Sequence, residues 1–238
     1  MEYFYSPPAH IGPDELTIEN DEFAHLTHVM RKTVGDAIRV VDGVGNAYDV
    51  RIQAISRRVA RCRIEHRYIR LHEPAIDVTL AVSILKNSSR FDVLVEKTTE
   101  IGVNTIVPLL TERTIPRHAK IERWQKLALA AMKQSGRCVL PSVKKLVSFQ
   151  DFLSEESRDT QRILLHEGAT DLHLRQALTQ PIAAKIVLCV GPEGGFTKEE
   201  TDQAVRAGFR IAGLGLRRLR TETAAIIAVA EVIGTSFP

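Results

Sequence analysis

Residues 185–205 read KIVLCVGPEGGFTKEETDQAV. An apolar run of strand type, Lys185 to Val190, breaks into Gly191-Pro192-Glu193-Gly194-Gly195. A helical pattern follows, with Thr197 and Glu200 spaced as a capping box. Strand, glycine turn and capped helix mark the place where α/β proteins hold ligands, because a crevice opens beyond the carboxyl ends of the strands. Glycines there permit positive φ and let a ligand approach the main chain. A phosphate cradle requires GxxxxGK[ST] or an early GxGxxG with an acidic residue about 20 positions later. Neither pattern is present, and Glu193 would repel a phosphate.

Two more turns leave strand-like runs nearby. In IAGLGLRRLRTETAAIIAVAEV, residues 211–232, Gly213 and Gly215 bracket Leu214. An arginine-rich bend follows, and Thr221-Glu222-Thr223 opens an apolar helix. The third turn is ILLHEGA, 163–169. Three loops at strand ends can converge on one crevice. From residue 77 onward the texture alternates strand with helix. Strands are expected at 77–85, 103–110, 162–166, 185–190 and 210–216. Helices are expected at about 90–101, 121–135, 149–156, 170–178, 198–207 and 222–234. Runs such as DVTLAVSIL are almost continuously apolar, as in a parallel sheet covered on both faces.

Ahead of the polar link RLHEPAID, residues 38–68 read as strands. IRVVDGVGNAYDVRIQAI carries a Gly-Asn turn, and in VARCRIEHRYI a core face of Val59, Cys62 or Ile64 and Tyr68 opposes arginines. DEFAHLTHVMRKTVGD is expected to be a short helix. The chain is therefore divided into a β-rich domain, 1–72, and an α/β domain, 73–238.

The 238 residues carry a net charge of +3, with 44% hydrophobic and 26% charged residues, ordinary for a globular protein. The charge is unevenly spread. Residues 1–50 hold three basic and nine acidic side chains, and 51–70 hold seven Arg and one Glu. Residues 111–146 hold nine basic and two acidic, and 206–220 hold five Arg and no acid. Basic blocks in a nearly neutral chain point to a polyanion met by particular faces. Candidates to contact a nucleic acid are Arg61, Arg63, Lys86, Arg90, Arg113, Arg117, Lys133 and Arg137. Three cysteines, Cys62, Cys138 and Cys189, are odd in number and far apart. That spacing and the absence of an apolar span or signal segment imply a reduced, cytoplasmic protein without a membrane anchor. His25 and His28 lack neighbouring ligand types, so no metal is expected. Lys97 and Glu100 suit a surface ion pair, and Trp124 suits a helix core.

GPEGGFTKEE followed by LGLRRLRTETAA strongly resembles the signature of the RsmE family, bacterial 16S ribosomal RNA uridine-N3 methyltransferases of the SPOUT superfamily. The likeness continues in LKNSSRFDVLVEKTTEIGVNTIVPLLTERT (85–114), MKQSGRCVLPSV (132–143) and HLTHVMRKTVGDAIRVVDG, and so covers almost the whole chain. Family members often carry Glu where this chain has Lys133, which instead adds to the basic surface. The resemblance implies a C-terminal SPOUT-type α/β domain with a deep trefoil knot and an N-terminal PUA-like β-barrel. It further implies S-adenosyl-L-methionine as cofactor, a homodimer with its active site near the dimer interface, and 16S ribosomal RNA or the small ribosomal subunit as partner.

On that basis the cofactor-binding candidates are Leu165, His166, Val190, Gly191, Pro192, Glu193, Gly194, Leu214, Gly215, Leu219, Arg220 and Thr221. Adenine wants an apolar slot edged by main chain, and Glu193 is tolerable beside a sulfonium. Methylation at N3 requires an unpaired uridine and stabilisation of its anion as the proton departs. Arg220 is the first candidate for that task. Glu193 and Glu222 are candidate bases, although each also suits capping a helix or pairing with an arginine. A non-catalytic RNA-binding protein on the same fold, or a SPOUT enzyme with another RNA target, remain alternatives.

Overall fold

The structure, a computed structural model, describes residues 2–154, 160–178 and 182–235. It divides into two compact units: Met1–Glu73 with Leu129–Leu140, and Pro74–Ala128 with Pro141–Pro238.

The first unit is a five-stranded sheet built from β1 (Tyr3–Tyr5), β2 (Glu15–Glu19), β3 (Ala37–Val41), β4 (Asn46–Ile55) and β5 (Val59–Ile69). The order is β1-β3-β4-β5-β2, antiparallel except for β1 beside β3. Both edge strands feed one core: Phe4 from β1 packs with Leu16 and Ile18 from β2, beside Ile38, Val50 and Cys62. Ser6 Oγ, just after β1, donates to Thr17 O of β2 at 2.7 Å. The sheet therefore curls toward closure. Its β1–β2 beginnings carry no alternation long enough to read as strands, and the expected helix is only α1 (Asn20–Ala24), continuing as a π-helical turn, His25–Val29. In β5 the core face is Ala60, Cys62 and Ile64, not Val59, while Arg61 and Arg63 point to solvent. Irregular register at Asp49/Val50 and Ile52/Ala54 sets that phase.

The second unit is a seven-stranded, wholly parallel sheet. Its strands are β6 (Asp77–Ser83), β7 (Thr105–Leu110), β8 (Ser142–Val143), β9 (Val147–Ser148), β10 (Thr160–Leu165), β11 (Lys185–Val190) and β12 (Arg210–Ala212). The order is β12-β10-β11-β6-β7-β8, with β9 also on β7. Proline cannot donate to a ladder. Pro108 accordingly falls between the β7 residues that pair with β8 and those that pair with β9. Helices α2 (Ser88–Ile101) and α7 (Thr221–Gly234) pack together, with α7 also against β6 and β11. Helix α4 (Phe149–Ser154) meets α6 (Lys198–Arg206) on the other face, where Phe149, Phe152, Phe196 and Phe209 pack on a row from Leu164 through Cys189 and Ala81 to Val107.

Helix α3 (Ile121–Ser135) matches its expected span. Trp124 is buried, stacks on Phe91 with centroids 4.0 Å apart, and donates Nε1–H to Asp92 Oδ1 at 3.2 Å. Lys97 pairs with Glu100 as read, at 2.9 Å. The helix expected over 170–178 shrinks to α5 (Leu174–Ala177), capped by His173. The strand expected over 210–216 stops at Ala212, for a reason given below. The end of the helix expected over 149–156 lies outside the described residues. Among those residues no helix is long and apolar enough to cross a membrane.

Candidate active site

In-register pairing aligns the strand ends. Ala212, Leu165, Val190 and Val82 form one row across β12, β10, β11 and β6. The next residues of each strand therefore leave from a single edge of the sheet, and their loops face one another. This is why segments scattered over 130 residues of chain meet.

Each loop is fixed by short-range chemistry. After β11, Thr197 and Glu200 complete the capping box of α6: Thr197 N–H donates to Glu200 Oε2 at 2.9 Å, and Glu200 N–H to Thr197 Oγ1 at 3.2 Å. The other Glu200 oxygen accepts the N–H of Glu112 at 2.8 Å, tying the loop after β7 to the loop after β11. Arg113 Nη1 donates to Gly194 O at 2.6 Å, in the same sense. Gly195 has φ +68° and Gly215 φ +102°, both in the region that favours glycine.

Gly213 has a different reason. A Cβ at that position would stand 2.1 Å from Ala169 O, so only hydrogen fits. Its N–H donates to Leu172 O and its oxygen accepts from Leu174 N–H, both at 2.9 Å. The chain after β12 thus runs directly against the 166–174 loop. The strand expected to continue to 216 ends because these bonds replace sheet pairing.

The loops enclose a cavity of about 350 Å³, within the usual range of small-ligand sites of about 300–1,000 Å³. Of the twelve cofactor-binding candidates, eleven line it: Leu165, His166, Val190, Gly191, Pro192, Glu193, Leu214, Gly215, Leu219, Arg220 and Thr221. Gly194 does not; it lines a neighbouring cavity of about 700 Å³ with Lys86, Asn87, Ser88, Arg90, Arg113, Ile115 and Glu193. Lining residues not foreseen in the smaller cavity are Glu167, Gly195, Phe196, Arg217, Arg218 and Ala224, with Arg90 foreseen only as an RNA contact. Phe196 carried a signal, being the lone aromatic beside the glycines.

The charged groups are partly committed. Arg218 pairs with Glu167 at 2.9 Å and donates Nη2–H to Glu193 O at 3.4 Å. The Glu193 carboxylate accepts the N–H of Lys86 at 3.1 Å, just before Asn87 caps α2. Glu222 is buried beside Arg90, with Oε1 3.6 Å from Nε, and its Oε2 has no hydrogen-bond partner among the described residues. Of the three catalytic candidates, Glu193 thus holds main chain and Glu222 faces an arginine. Arg220 is exposed at the cavity, the residue before α7.

The basic candidates separate. Arg61, Arg63, Lys86, Arg113 and Arg117 are exposed, and Arg90 is half-buried. Arg137 is corrected: it is 3% exposed, its Nη2 2.7 Å from Glu73 Oε2, and no surface for RNA. Lys133 is corrected likewise, since Glu22 pairs with its ammonium in a part-buried contact and removes it from the basic surface. Burial raises the Cys62 and Cys138 thiols to about 12 and Cys189 further still, so all three are inert packing groups. No cluster of metal-ligating residues occurs among the described residues.

Residues 72–233 match the family model for the RNA methyltransferase domain, and 18–65 match that for the RNA methyltransferase PUA domain. The ribosomal RNA small subunit methyltransferase E of a Synechocystis species is 32% identical over 232 residues, 94% of this chain and 75% of that protein. The protein of the same name from Buchnera aphidicola is 29% identical over 217 residues, 88% and 84% of the two chains. A crystal structure of ribosomal RNA small subunit methyltransferase E from Neisseria gonorrhoeae, bound to S-adenosyl methionine, superposes with a TM-score of 0.89. It is 31% identical, over 99% of this chain and 98% of that one. The chain belongs to the ribosomal RNA small subunit methyltransferase E family.

Proposed function

We propose that this protein transfers a methyl group from S-adenosylmethionine to N3 of a uridine in 16S ribosomal RNA, in the small ribosomal subunit. The observation that carries the reading is the cavity at the aligned strand ends, lined by Leu165, Val190, Leu214 and Leu219 with main chain from Gly191 and Gly215. Apolar side chains with a main-chain edge fit a nucleoside, and the Glu193 carboxylate in the lining accords with a cation. When bound, the cofactor supplies a methyl on sulfonium: the N3–H proton leaves to solvent or a base, the N3 lone pair forms the new bond, and the S–CH3 pair stays on sulfur. The protein's part is to hold the extruded base and favour its anion. Arg220, at the cavity and without an ion pair among the described residues, is an arginine suited to that task. Arg220→Ala should lower methyl transfer far more than cofactor affinity.

Residues 1–72 are assigned to RNA capture through Arg61 and Arg63, and 73–238 to catalysis. Gly213, pressed against the 166–174 loop, supports the reading of a trefoil knot through which α7 is threaded. A homodimer is supported by α7, which is apolar around its circumference. Ala225, Ala228, Val229 and Val232 are buried while Ile226 and Ile227 remain part-exposed. An RNA of the ribosome implies a cytoplasmic location, in accord with three free, buried cysteines. Calorimetric titration with S-adenosylmethionine, followed by label transfer to small subunits, tests the proposal. Saturable binding with transfer is expected. RNA binding without either would favour a catalytically silent RNA-binding protein.

A further inference from the structure

The two cavities of the second unit share a wall, and two charged residues, Arg90 and Glu193, line both. Methyl transfer brings donor and acceptor atoms into contact, so a group serving the acceptor in the transition state must stand at that boundary. Glu193 is already engaged by the N–H of Lys86. Arg90 is not engaged in the same way. Its guanidinium makes no hydrogen bond among the described residues, and its ion pair with Glu222 is long, at 3.6 Å. The backbone beneath it is firm, because Phe91 and Leu94 of the same helix are fully buried. Behind it, Glu222 keeps a buried oxygen without a hydrogen-bond partner among the described residues. A buried carboxylate left short of donors holds a guanidinium near it, without consuming that guanidinium's own donors.

We propose that Arg90 is a further catalytic residue, donating to a carbonyl oxygen adjacent to N3 and stabilising the uracil anion as the proton leaves. Glu222 is its positioning residue. The second cavity is the acceptor-nucleotide site, where Lys86 and Arg113 add positive charge for the flanking phosphates. Arg220 lines only the first cavity, which distinguishes the two arginines. This inference rests on the methyltransferase reading above.

The test uses small subunits reconstituted on 16S RNA transcribed with uridine or with 5-fluorouridine, whose fluorine acidifies N3. Arg90→Ala should lose transfer by about 10²–10³-fold, the usual effect of deleting one donor to a developing anion, with a far smaller loss of S-adenosylmethionine affinity. Arg90→Lys should recover part of the loss. Fluorine substitution should help Arg90→Ala more than wild type, by about tenfold, because an acidified N3 needs less stabilisation. Transfer by Arg90→Ala at the wild-type rate, equal losses in cofactor binding and transfer, or an equal fluorine effect in both proteins would overturn the assignment. A wild-type protein inactive on both substrates would overturn the methyl-transfer reading itself.

Discussion

Two arginine–glutamate pairs, one in each unit, are built to opposite ends. In the first unit the Arg137 and Glu73 side chains are 3% and 0% exposed. Glu73 Oε1 also accepts the N–H groups of Cys138 and Val139 at 2.8 and 2.9 Å. Arg137 Nε and Nη2 both donate to Glu73, so both carboxylate oxygens are engaged and the pair is closed to solvent. In the second unit Arg90 and Glu222 meet at 3.6 Å on the wall of two cavities, with guanidinium donors unspent and one carboxylate oxygen unmatched. The saturated pair serves the fold, and the unsaturated one is placed to serve chemistry. Similar side chains do different work because of what surrounds them.

The contrast can be broken at several points. The largest effect is expected where the second unit is as saturated as the first. Gly213→Ala sets a methyl against Ala169 O, which is main chain and cannot swing aside. A loss of about 4 kcal/mol, in the exceptional range for a single change, should appear in urea unfolding. An unchanged midpoint would mean that the 212–214 segment has room. Next comes Glu73→Ala, which strands a buried guanidinium and should cost about 3 kcal/mol by the same measurement.

Glu222→Gln sharpens the comparison from the other side. Neutralising an under-satisfied carboxylate should change stability by less than about 1 kcal/mol. Loss of its hold on Arg90 should lower methyl transfer about tenfold, equivalent to 1.4 kcal/mol in the barrier. A stability loss as large as that of Glu73→Ala would erase the distinction between the pairs. The smallest effect belongs to the exposed arginines of β5. The double variant Arg61→Ala, Arg63→Ala should leave stability and cofactor binding alone. It should flatten the salt dependence of RNA binding by about 1–2 in log–log slope, one phosphate per arginine. An unaltered slope would remove them from the RNA interface.

The parts of this fold legible in sequence were those governed by local rules. Periodicity gave α3 and β11 their full spans, and the Thr197–Glu200 box marked the start of α6. Strand ends also gave the three loops that meet at the cavity, because loops after parallel strands share an edge, and the family resemblance picked out eleven of its residues. What stayed hidden depends on partners distant in the chain. Arg137 and Lys133 read as surface charge until Glu73 and Glu22 fold onto them. Gly213 read as a turn residue, whereas its smallness is demanded by a carbonyl 44 residues upstream. The two-residue strands β8 and β9 have no period to detect, and they exist because β7 offers them an edge on either side of Pro108.

The central claim is that the strand-end cavity directs a methyl group to N3 of a ribosomal uridine. It is tested most directly by nucleoside analysis of 16S RNA from cells lacking this protein, before and after incubation of their small subunits with purified protein and S-adenosylmethionine. The account predicts one N3-methyluridine absent before and present after, and not restored by Arg90→Ala. Methylation at another atom or base, or none at all, would contradict it.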